Sequence, residues 1–143
     1  MQRIGQAGLA LGLIVAGILG QAESAEKNAK QILKAGAAKV DISPPLGESV
    51  VGGFAPFPAT NIHDKLYAKC LVLDNGETQI AFVICDNLGI TREVYDEARE
   101  RIAKETNFPV QNILMAATHT HSATRARMPK YRPIVVKGIA ESV

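Results

Sequence analysis

The sequence predicts an α/β fold, a mixed sheet built from a β-hairpin and a βαβ crossover. Three stretches predict it. Asn75-Gly76 lies between two apolar runs, the strongest short signal for a hairpin. Val94, Ala98 and Ile102 recur four apart and mark the inward stripe of a helix. Ile113-Leu114-Met115-Ala116-Ala117 is a short apolar run beyond that helix, so the strands on either side of it should lie parallel. That run ends in Thr118-His119-Thr120-His121-Ser122, which holds two of the chain's three histidines.

With 143 residues, the chain can bury the core of one modest domain. A net charge of +2 gives no reason to expect nucleic acid as a partner. Nothing in the residues selects an oligomeric state. Residues 1–22 read as an export signal. Arg3 precedes an uncharged, mostly apolar span from Ile4 to Gly20, and Gly20-Gln21-Ala22 supplies small residues for cleavage. The uncharged span from Ile4 to Ala22 is 19 residues, near the minimum for an uncleaved membrane anchor, but its five glycines favour cleavage. The expected location is therefore exported, periplasmic or secreted, with membrane anchoring as the alternative. Residues 23–33 form a polar lead, and the domain proper spans 34–143.

Lys34 to Ile42 alternates weakly, with Ala38, Val40 and Ile42 on one face, and reads as the first strand. Ser43-Pro44-Pro45 stops it, since neither proline can donate to a ladder. Gly52-Gly53 then allows either a plain turn or close backbone approach to a neighbouring group, which makes both glycines candidates for an active-site loop. Residues 55–64 read as a loop that ends in His63-Asp64, a pair that is either plain polar loop chemistry or, through His63, a further candidate for the active-site loop.

A two-residue turn at Asn75-Gly76 would set Asp74 opposite Glu77 and Cys70 opposite Ala81. One face of the hairpin then carries Ala68, Cys70, Val72, Ala81, Val83 and Cys85, and the other Leu71, Leu73, Ile80, Phe82 and Ile84. Both faces are apolar, so such a sheet needs cover on both sides. In this register Cys85 stands roughly 13 Å along the strand from the residue facing Cys70, too far for a disulfide. Two separate buried thiols are expected.

Thr91 can cap a helix from Arg92 to about Glu105. A strand over residues 112–118 follows, and in α/β sheets sites gather beyond the carboxyl ends of strands. Asp86 and His119 both stand just past such ends. In extended chain His119 and His121 point to one face, which suits a metal or catalytic site, or merely a polar strand end. Asp86 could orient one imidazole or simply begin the turn. Residues 122–130 are polar and basic, with Arg125, Arg127 and Lys130, and Pro133 can open a final helix.

Ala37-Ala38-Lys39-Val40-Asp41-Ile42-Ser43-Pro44-Pro45, Gly52-Gly53-Phe54, Ile62-His63-Asp64-Lys65-Leu66-Tyr67-Ala68-Lys69, Leu71-Val72-Leu73-Asp74 and Ala117-Thr118-His119-Thr120-His121-Ser122 together resemble the neutral/alkaline non-lysosomal ceramidases. The resemblance spans residues 37–122 and covers only the beginning of that family's catalytic domain. It implies a zinc-dependent hydrolase that cleaves the amide bond of ceramide, or of another N-acyl amide lipid, to sphingosine and a fatty acid, with contact to a membrane surface. It further implies that His119 is a Zn2+ ligand and His121 a catalytic group beside the metal, the remaining ligands coming from later segments. The family commonly continues His-Thr-His-Ser with Gly-Pro, where this chain has Ala123-Thr124. Other His-x-His hydrolases fit less well, because Ser122-Ala123-Thr124 breaks the His-x-His-x-Asp-His pattern of metallo-β-lactamase-like enzymes. The alternative function is an exported, non-catalytic module that binds a lipid or a protein partner through its doubly apolar hairpin.

Overall fold

The computed structural model describes residues 32–143; the export segment lies outside the described residues. Six strands and two helices follow in order: β1 (Lys34–Asp41), β2 (Ser49–Val50), β3 (Phe57–Pro58), β4 (Tyr67–Asp74), β5 (Gln79–Cys85), α1 (Arg92–Glu105), β6 (Ile113–Ala117) and α2 (Arg132–Ser142). A short 3-10 turn over Val110–Asn112 leads into β6.

Four of the strands form one mixed sheet in the order β1-β4-β5-β6. β1 and β5 run antiparallel to β4, and β6 runs parallel to β5 after the α1 crossover. The α/β class and the crossover are as the sequence predicts. β2 and β3 pair into a small separate ribbon, β3 lying inside the stretch 55–64 that reads from sequence as loop. Two residues per strand leave no periodicity to detect.

The hairpin differs from the two-residue turn. Asp74 pairs with Gln79, and Cys70 with Val83, so the loop is longer by two residues. Local side-chain bonds close it: the Asn75 Oδ1 accepts the N–H of Glu77 at 3.0 Å and of Thr78 at 2.8 Å, while the Asp74 Oδ1 accepts the Gly76 N–H. A slip of two keeps every side chain on its predicted face. It also brings Cys85 diagonal to Cys70, where Cα atoms stand about 7–8 Å apart, still beyond disulfide reach. Both thiols are free and buried.

The helices cover one face of the sheet. Ala68, Cys70, Ala81, Val83, Cys85 and Ile113 meet Val94, Ala98 and Ile102 of α1 and Val135, Val136 and Ile139 of α2. Each large aliphatic side chain in this layer contributes about 1.5–3 kcal/mol by leaving water. Gly138 lets α2 settle on the end of β1, because a Cβ there would run into the Cγ2 of Ile42. Thr91 holds the N-cap position of α1 in extended conformation, but its hydroxyl makes no cap bond. The opposite face stays open, with Leu71 at 42%, Phe82 at 37% and Leu114 at 53% exposure. Among the described residues no helix is long and apolar enough to cross a membrane.

Candidate active site

The parallel pairing of β5 with β6 sets Cys85 beside Ala117. The two chains therefore leave the sheet together, Asp86-Asn87 next to Thr118-His119. The Thr118 N–H still bonds the Cys85 carbonyl at 3.0 Å, and the Thr120 N–H bonds the Asn87 carbonyl at 3.1 Å. Between these two bonds the backbone breaks out of the strand, for His119 has φ 61°, in the left-handed region. A non-glycine residue held there costs about 1–3 kcal/mol, which the flanking contacts must sustain.

The two imidazoles meet all the same. Their ring centroids are 5.1 Å apart, edge to face at 65°. Simple strand alternation does not bring them together, as the strand ends at Ala117. The kink at His119 does. Both side chains are exposed to incoming groups.

Gly52 packs directly beneath His121. The Val51 N–H bonds the Ala123 carbonyl at 3.0 Å, bridging the glycine loop to the histidine segment. Gly52 has φ 106°, and a Cβ on it would lie 2.8 Å from the His121 Cα and Cβ and 2.7 Å from its Cγ. No other residue fits that gap, so at Gly52 the glycine serves close approach. Gly53 has open space around it, with only the Ala55 carbonyl 4.0 Å from a built Cβ.

His63 does not join the imidazole pair. It is exposed, and its Nδ1 lies 2.9 Å from the Asp64 Oδ2. Instead it borders a cleft of about 490 Å³ whose walls include Ser43, Pro44, Val50, Phe57, Ile62, Leu66, Thr120 and Ser122. The cleft thus reaches the histidine segment from the side of Thr120 and Ser122. Its lining mixes apolar and hydroxyl groups.

Asp86 faces β4. Its Oδ2 accepts the Tyr67 N–H at 3.1 Å, and the Lys69 ammonium sits 2.9 Å away. Its described hydrogen bonds include neither imidazole, so it braces the β4–β5 end of the sheet. Cys85, just before it, is no nucleophile: burial, with the Asp86 charge beside it, pushes the thiol up to about 12. Ala123, Thr124 and Ala126 are buried while Arg125, Arg127 and Lys130 stay exposed.

One residue of the site had no signal in the sequence. Asn87 is fully buried, and its Nδ2 donates to the Thr124 carbonyl at 3.1 Å and reaches the Tyr131 Oη at 3.5 Å. An asparagine in a Gly-containing turn reads as ordinary turn chemistry. Only the fold shows it reaching 37 residues ahead.

A family model described as "Neutral/alkaline non-lysosomal ceramidase, N-terminal" matches residues 33–139. The chain belongs to this family. Two solved ceramidases share the fold. The crystal structure of neutral ceramidase from Pseudomonas aeruginosa matches with a TM-score of 0.70 and 23% identity, covering 78% of this chain and 21% of that one. A ceramidase complexed with C2 matches with a TM-score of 0.68 and 23% identity, covering 79% of this chain and 20% of that one. This chain therefore spans about a fifth of the length of these structures. No curated protein sequence matches it.

Among the described residues no group of three or more His, Cys, Asp or Glu side chains could hold a metal. Zinc usually takes at least three protein ligands. Two imidazoles alone fall short of that number.

Proposed function

We propose that this chain is the opening portion of an amide hydrolase of ceramide type, which splits N-acylsphingosine, or a related N-acyl amide lipid, into an amine and a fatty acid. The observation that carries this reading is the His119–His121 pair, its rings 5.1 Å apart at the carboxyl ends of two parallel strands, within the stretch the family model matches. His119 is the proposed Zn2+ ligand, joined by donors from outside residues 32–143. Zinc, when bound, supplies a polarised carbonyl and a water of lowered pKa. His121 stands beside that position and can hydrogen-bond the developing oxyanion or a substrate hydroxyl. The cleft bordered by Phe57, Ile62 and Leu66 offers apolar walls to a lipid chain. Export, read from residues 1–22, would bring the protein to lipid at a membrane surface.

The test uses the protein that carries this chain together with the rest of its catalytic domain. Release of a labelled fatty acid from N-acylsphingosine is followed alongside zinc content. His119→Ala should lose both zinc and turnover. His121→Ala should keep zinc and lose about 10²–10³ in kcat. A zinc-loaded protein that leaves every N-acyl amide lipid intact would sink the proposal. The open apolar face at Leu71, Phe82 and Leu114 favours a second reading, a non-catalytic lipid- or partner-binding module. That reading predicts lipid binding without hydrolysis, and binding unaffected by His119→Ala.

A further inference from the structure

We propose that Asn87 is a positioning residue that holds His121 in place by stapling the segment around it. This deepens the reading of His121 as a catalytic group and rests on that reading for its effect on turnover. Asn87 grips the segment at two points. Its carbonyl accepts the Thr120 N–H at 3.1 Å, just before His121, and its Nδ2 donates to the Thr124 carbonyl at 3.1 Å, three residues after it. Its own Oδ1 accepts the Gly89 N–H at 3.3 Å. A backbone carbonyl only accepts and a backbone N–H only donates, so the amide's orientation is fixed by its partners. From the far side the Val51 N–H holds the Ala123 carbonyl at 3.0 Å, and Gly52 lies against His121.

The site demands an amide. Asn87 and Thr124 are both fully buried, so water cannot replace a lost bond to the Thr124 carbonyl. Aspartate has the same shape but no donor, and would set a carboxylate oxygen against that carbonyl. Alanine would leave the carbonyl unpaired. Either change frees the Thr120–Thr124 segment while the helix-covered core stays intact. A freed segment lets His121 drift from its place, and a misplacement of the order of 1 Å can cost about a hundredfold in rate.

Asn87→Asp, Asn87→Ala and Tyr131→Phe are compared in the full catalytic protein. Amide hydrogen exchange at Val51 and Thr120 is read by NMR or mass spectrometry, beside steady-state kinetics on N-acylsphingosine. The two Asn87 variants should exchange at Val51 and Thr120 about ten times faster or more than wild type. Their kcat should fall about a hundredfold, with KM little changed. Tyr131→Phe removes only the long contact to the Oη and should alter neither readout by more than about threefold. Unchanged exchange in a folded Asn87 variant overturns the proposal. So does a Tyr131→Phe loss as large as that of Asn87→Ala, which would assign the effect to core packing. If wild type hydrolyses nothing, the hydrolase reading fails and exchange alone still decides on the staple. If neither Asn87 variant folds, the wild-type Nδ2 protons decide: slow exchange supports the staple, exchange at the solvent rate overturns it.

Discussion

Between the helices and the sheet, Val83, Ile102 and Ile139 are fully buried, and apolar area does the holding. At the carboxyl end of the same sheet His119 and His121 stand exposed, on a segment held by backbone hydrogen bonds, one buried amide and a missing side chain at Gly52. The difference teaches where each kind of damage should fall. Removing atoms from the packed layer costs fold stability and leaves the site's design alone. Disturbing the histidine segment costs the geometry of the imidazole pair and leaves most of the fold standing.

The largest stability effect should come from the packed layer. Ile102→Ala opens a cavity between α1 and the sheet and should cost about 2–5 kcal/mol in urea unfolding. A loss well below that would break the comparison, for it would mean the layer is loosely filled. Next comes Gly52→Ala, which forces a Cβ against His121 at a φ of 106°. It should cost only about 1–3 kcal/mol of stability yet displace the His121 imidazole resonances and abolish most turnover. A variant that melts far earlier but keeps normal histidine signals would reverse the assignment of roles.

A smaller effect belongs to Asp41, at the end of β1. The Lys65 ammonium, 2.9 Å away, together with the Ser43 N–H, lowers its carboxyl from 3.8 to about 2. A lowered carboxylate stabilises the fold above its ordinary value, and that stabilisation disappears as pH falls from 3.8 through about 2. The side chain is 39% exposed, so solvent screening limits the effect to under about 1 kcal/mol. Asp41→Asn should flatten the dependence of Tm on pH over that acid window, its small cost, under about 1 kcal/mol, showing at neutral pH and fading at the acid end. The smallest effect should be Leu114→Ser on the open face, within about 0.5 kcal/mol in this chain. Repeating Leu114→Ser in the longer catalytic protein sharpens the picture. A loss of 2 kcal/mol or more there, on the order of burying a large aliphatic side chain, would show that this face is covered in the whole domain.

Much of the sheet and both helices were legible in the residues. The apolar runs around Asn75-Gly76, the stripe Val94, Ala98 and Ile102, and the run before His119 each place an element within a residue or two of its observed bounds. The two hairpin faces came out right even though the register did not, because a slip of two preserves alternation. The β2–β3 ribbon was not legible, since its pairing is too short to carry a pattern. At the site, His119 and His121 were legible as residues and their meeting was not. Strand alternation predicts a shared direction, but the pair comes together through the left-handed turn at His119. Asp86 illustrates the same gap: its place past β5 was foreseen, while its bonds run to Tyr67 and Lys69 on the neighbouring strand.

By itself the sequence determined which segments are strand and helix, which faces are apolar, and that two histidines follow the last strand. These follow from local spacing, since backbone geometry converts a period of two or of about 3.6 residues into a face. The tertiary structure alone decided the rest. It set Val51 against Ala123, pressed Gly52 under His121, and carried the Asn87 amide to Thr124. Each of these joins residues from separate elements, and no local period records a contact that exists only once those elements are packed.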